Sequence, residues 1–182
     1  MAATPALAHP PPLGISGFWG GVLHPLFVID HVMAVLALGL LMGSQERWGW
    51  LSPIVYAVGI AAGLATMMSG AVPRYANEAI LGVAVVGGML VALALPLPAR
   101  LGATMAGILG FAIALDSPPE VLSVSEANLM LLGTAIGATV FVIAVRQAAR
   151  QARARWAQIS VRAAGSWIAA AAILALALRF VR

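Results

Sequence analysis

The 182-residue chain has no cysteine and no lysine, and all ten of its basic residues are arginine. Without cysteine there is no disulfide, no thiolate metal site and no thiol nucleophile. Without lysine there is no Schiff base, which excludes a retinal protein. Charge of either sign is scarce: 9% of residues are charged, against about 25% in a soluble domain. Histidine is rarer still, with three in the chain. Serines are few, and none has a histidine at a spacing that suggests a nucleophile pair. No ATP-binding motif occurs either, so the chain is not expected to be an enzyme.

What fills the chain is apolar, at 62% of residues and a mean hydropathy of +1.00. Such a composition belongs to an integral membrane protein. With about 20 apolar residues needed per span, the length has room for six helices joined by short loops. Hydropathy places them near 18–43, 50–71, 78–96, 99–115, 126–145 and 159–180. The expected fold is an all-α bundle of six transmembrane helices over residues 18–182, preceded by a flexible tail at 1–17. Prolines mark the breaks at Pro73 and at Pro96-Leu97-Pro98. Asp116-Ser117-Pro118-Pro119-Glu120 reads as a turn followed by a capping box, with Ser117 as N-cap and Glu120 at N3. The pairs Gly59/Gly63 and Gly133/Gly137 mark close helix approach.

Short cytoplasmic loops collect arginine. With the N-terminus outside, Arg47, Arg100, Arg146, Arg150, Arg153, Arg155 and Arg162 fall inside, and Arg74, Arg179 and Arg182 fall outside. Both termini are therefore expected to be periplasmic. The connection carrying Asp116, Glu120 and Glu126 then faces outward as an acidic mouth or a plain solvated loop. The arginine pattern speaks of topology and not of nucleic acid. In the tail, Ala6-Leu7-Ala8 before His9 has the small-x-small form of a signal-peptidase site, either the remnant of a signal sequence or chance in an Ala/Pro-rich segment.

Within the first span, His24-Pro25-Leu26-Phe27-Val28-Ile29-Asp30-His31 gathers two histidines and a carboxylate. A carboxylate at the centre of a spanning helix costs roughly 2.5 to 3.5 kcal/mol on insertion scales, so it requires a partner or a function. Imidazole with carboxylate suits a divalent transition metal. In a straight helix His24 and His31 share a face to within about 20°, but their backbones stand about 10.5 Å apart. One ion cannot then bind both, and two stations along one path follow, with His24 in the outer half and Asp30 and His31 near the midplane. Pro25 and the Gly20-Gly21 pair before it offer a place to break or widen the first turn. The plainer alternatives are an interhelical hydrogen bond for His24 and a proton relay for Asp30 and His31. An arginine partner for Asp30 is not expected, since all ten arginines map to loops or helix ends.

These residues, with Met33-Ala34-Val35 and Gly39, resemble the first signature of the HupE/UreJ family, HPxxGxDHxxA. His24, Pro25, Asp30, His31 and Ala34 match it, and Val28 stands where glycine is usual. The similarity extends over residues 9–180 and implies a six-span protein of the bacterial inner membrane associated with hydrogenase and urease. It further implies a permease for nickel, or else cobalt, that supplies metalloenzyme maturation. The family's second motif, HGxAHGxE, corresponds here to residues 109–116, where both histidines are replaced and the final acid is Asp116. The metal site implied is His24, Asp30 and His31, with Glu78 and Asp116 capturing the ion at the mouth. For Glu78 the alternative is a helix start with Asn77 as N-cap, and for Asp116 a turn. No resident cofactor is expected. The expected partners are the divalent ion, the lipid bilayer and a maturation protein at the cytoplasmic Arg146–Arg162 loop. The alternative function is a membrane accessory protein for hydrogenase or urease assembly that transports nothing.

Overall fold

An apolar run in lipid must satisfy its own backbone N–H and C=O groups, and a helix does so within one segment. The computed structural model describes residues 17–69, 74–117 and 124–180. The possible cleavage site with His9, the Pro73 break, the Glu120 half of the capping box and Arg182 lie outside the described residues. Among the described residues every regular element is helical: α1 (Gly17–Phe27), α2 (Ile29–Ser44), a 3-10 turn (Glu46–Trp48), α3 (Leu51–Met68), α4 (Ala76–Leu93), α5 (Ala99–Leu115), α6 (Val124–Gln151) and α7 (Arg155–Phe180).

Four of these helices, α3, α4, α6 and α7, are long and apolar enough to cross a membrane. The expected first span is broken into α1 and α2, which together meet the same test but bend by 73°. The expected fourth span, α5, is shorter at 17 residues. Six apolar segments are thus present, although the described helices give four to five full spans by length and composition.

Packing puts α2 at the centre, against α4 and α6, while α3 lies on α5, α1 on α6 and α4 on α7. Ala34, Val35, Ala37, Leu38 and Leu41 of α2 are fully buried. Outward positions such as Ile54, Val58, Val140, Ile173 and Leu174 stay exposed and apolar, as a lipid-facing surface requires. Small residues allow the close crossings. A Cβ at Gly59 would meet the backbone of Gly107, and one at Gly133 or Gly137 would meet the carbonyls of Phe18 or Val22. Gly137→Leu is therefore expected to push α1 off α6 and to destabilise the fold by about 1–3 kcal/mol or more. A lowered melting midpoint in detergent is the measurement, and an unchanged midpoint would contradict this packing.

The break between α1 and α2 falls at Val28 and not at Pro25 or the Gly20-Gly21 pair. Helix α1 continues through Pro25, and Gly21 instead lets α1 approach the backbone of Met130 on α6. Val28 has φ −90° and ψ 110°. That is ordinary extended backbone, which a β-branched residue adopts readily, so the position does not require glycine.

The two ends of the bundle differ in charge. The C-termini of α2, α4 and α6 and the N-termini of α3, α5 and α7 share one end, which carries Arg47, Arg100, Arg146, Arg150, Arg153, Arg155 and Arg162. Arg74 and Arg179 lie at the other. The expected Arg146–Arg162 loop is mostly helix, since only residues 152–154 separate α6 from α7. Arg146 is 2% exposed, donates to the Gly49 carbonyl at 2.8 Å and lies 4.7 Å above the centre of the Trp50 ring. It thereby ties α6 to the connection between α2 and α3. Arg162 similarly donates to the Ala92 carbonyl at 2.9 Å, near the end of α4 where carbonyls lack helical partners.

Candidate metal site

Opposite the arginine-rich end, the start of α2 and α4 meets the end of α5 and α7. Adjacent residues on a helix point about 100° apart, so Asp30 and His31 at the start of α2 address different neighbours. His31 is fully buried and its Nε2 lies 3.1 Å from Asp116 Oδ2. Asp30 Oδ2 accepts from Asn77 Nδ2 at 2.9 Å and from an Arg179 guanidinium nitrogen at 3.2 Å. Asn77 Nδ2 also lies 3.5 Å from Asp116 Oδ2, so its amide joins the two carboxylates. His24, on the far side of the break, sets its ring edge-on to that of His31 with centres 5.5 Å apart.

The bend explains how two histidines seven positions apart come into ring contact. A straight helix would hold their backbones about 10.5 Å apart along its axis. Two imidazoles bound to one ion at about 2.0–2.1 Å place their ring centres roughly 4.5 to 6.5 Å apart. The observed spacing falls in that range. The expected separation into two stations is therefore corrected: His24, Asp30, His31 and Asp116 form one chain of contacts, and Asp30 and His31 sit at the end of the bundle with Asp116 rather than halfway along it.

The electrostatics follow from position. Asp30 lies in the first turn of α2, where the helix dipole favours a carboxylate. Asp116 is the C-cap of α5, where the dipole disfavours one. Its compensation comes from His31 and Asn77. An ionised carboxylate only accepts, so a neutral His31 donates to it from Nε2 and keeps a lone pair on Nδ1. That Nδ1 is buried and has no hydrogen-bond partner among the described residues, and the same holds for Asn77 Oδ1. A carboxylate behind a histidine that presents its other nitrogen is the arrangement that orients metal-binding imidazoles.

Several expectations change. Asp30 does have an arginine partner, because Arg179 in the last turn of α7 reaches it. Asn77 is not the N-cap of α4. The helix starts at Ala76 after Tyr75, and the Asn77 side chain serves the site. Glu78 is half-buried in the first turn of α4 but makes no hydrogen bond or ion pair among the described residues, so it stands apart from the cluster. Ser117 is buried and donates back to the Ile113 carbonyl at 2.7 Å, while the residues it was expected to cap lie outside the described ones. Among the described residues no three His, Cys, Asp or Glu side chains are gathered closely enough to hold an ion in this arrangement.

Neither a curated protein nor a solved structure matches the chain. A family profile described as HupE / UreJ protein matches residues 1–175, which include every member of the cluster except Arg179. With the HPLFVIDH signature folded around the break and nearly the whole length matched, the chain belongs to the HupE/UreJ family, a membrane family whose role is nickel- or cobalt-related, in transport or as an accessory.

Proposed function

We propose that this protein is a permease for a divalent transition metal, nickel foremost and cobalt next, that supplies metalloenzyme maturation. The observation that carries this reading is the fully buried His31, whose Nε2 is held by Asp116 and whose Nδ1 has no hydrogen-bond partner among the described residues. Asp116 orients the ring, His31 and His24 supply nitrogen, and Asp30 supplies the charge that offsets dehydration of the ion. Asn77 holds the two carboxylates in register. Glu78, one residue after Asn77 in the first turn of α4, is a capture group at the mouth. An ion must leave as readily as it arrives, so weak ligation shared between few groups suits passage better than a closed cage.

The uneven distribution of arginine supports an orientation with the arginine-rich end in the cytoplasm and both termini in the periplasm of a bacterial inner membrane. Inward movement of a divalent cation then releases about 4.6 kcal/mol per 100 mV, twice the value for a single charge. A second reading, a non-transporting accessory protein for hydrogenase or urease, is favoured by the absence of a gathered three-ligand cluster among the described residues. In that reading the recess lined by Trp50, Arg146, Gln147, Arg150, Gln151 and Arg153 serves as a docking face for a maturation protein.

Uptake of radioactive nickel by cells expressing the protein decides between them. Accumulation above vector-only cells, reduced by excess cobalt, is expected. Equal accumulation in both, with the protein present in the membrane, removes the permease reading and leaves the accessory one.

A further inference from the structure

The Arg179 guanidinium occupies the carboxylate that an incoming cation most needs. It lies 3.2 Å from Asp30 Oδ2, with side-chain exposures of 44% for Arg179 and 20% for Asp30. Arginine is held permanently charged, so this partner does not depart by losing a proton. It sits in the last turn of α7, one residue before the end of that helix, and a long side chain there can swing to water without disturbing the core. With both carboxylates ionised and the histidines neutral, Asp30, Asp116 and Arg179 sum to one negative charge.

We propose that Arg179 is a tethered counter-cation which the transported ion must displace from Asp30, and that this exchange makes the site select by charge. The inference rests on the permease reading above. A monovalent ion that replaces the guanidinium leaves the net charge at the site as it was and loses its own hydration. A divalent ion brings the same site to neutrality and gains ligation from His31. The competitor is attached to the protein, so its effective concentration is about millimolar or higher whatever the surrounding solution contains. Sodium and potassium thus face a competitor of equal charge already in place. The orphaned Nδ1 of fully buried His31 offers an arriving transition metal a ligand that the guanidinium, in its place on Asp30, does not engage. Arg179 is accordingly a specificity-determining residue, and its removal alters discrimination and not only affinity.

Equilibrium binding of nickel to the full-length protein in detergent tests this, with sodium chloride replaced by choline chloride at constant ionic strength. In Arg179→Gln, nickel affinity is expected to rise about tenfold or more and to become sensitive to sodium, whereas Arg179→Lys retains a tethered cation and stays close to the parent. If Arg179→Gln binds nickel no better and remains indifferent to sodium, while Asp30→Asn still abolishes binding, the exchange is wrong and the metal site stands. If neither the parent nor Arg179→Gln binds nickel in an Asp30-dependent way, the permease reading falls and this inference with it.

Discussion

Replacing His31 with alanine is expected to reduce nickel uptake at least tenfold at matched abundance in the membrane. The ring is fully buried, its Nε2 is fixed by Asp116, and its Nδ1 has no other hydrogen-bond partner among the described residues. Removing it deletes one of the two proposed nitrogen ligands and leaves Asp116 at the unfavourable end of a helix dipole with less compensation. Because a buried cavity also destabilises, His31→Gln is the sharper variant. Its amide can still donate to Asp116, yet it offers no imidazole. Transport lost in both variants, with normal melting of His31→Gln, assigns the loss to ligation. Normal uptake in the glutamine variant would sink the proposed role of His31.

The second large effect belongs to Asp116. A carboxylate that orients a metal-binding histidine typically contributes a factor of about 10–100 in metal affinity, and Asp116→Asn is expected to weaken nickel binding within that range. An amide can accept from His31 Nε2, so the shape of the contact survives while its charge is lost. The same substitution also removes one of the two carboxylates that Asn77 joins. Titration calorimetry on the purified variant reads the change directly. Affinity equal to that of the parent would mean that Asp116 merely ends α5 and that the His31 contact is structural.

How much of this was legible in the sequence differs by element. The apolar segments are legible because lipid permits little besides helix for such runs, and each expected span coincides with a described helix or with the α1/α2 pair. The glycine pairs are legible because close crossings exclude a Cβ. The cluster is partly legible: His24, Asp30 and His31 lie in one octapeptide, and the resemblance supplied Asp116. Asn77 and Arg179 are not legible, since they lie 47 and 149 positions from the Asp30 they contact. Local rules favour a capping role for an asparagine at a helix start and a solvent-facing role for an arginine at a helix end. Tertiary packing overrode both. The bend at Val28 was equally hidden, because the dihedrals it adopts suit any β-branched residue and proline was the more visible suspect.

The brevity of α5 has a physical consequence for the ion. Its 17 residues rise about 25 Å, whereas a bilayer's hydrocarbon core is about 30 Å thick. With its first turn at one face of such a bilayer, the helix would stop about 5 Å short of the opposite face, with Asp116 at its end. For the proposed permease, lipid thickness is therefore expected to modulate uptake. A thinner or locally pinched bilayer brings Asp116 level with the headgroups, and a thicker one lengthens the stretch over which the ion must shed water before reaching its first carboxylate.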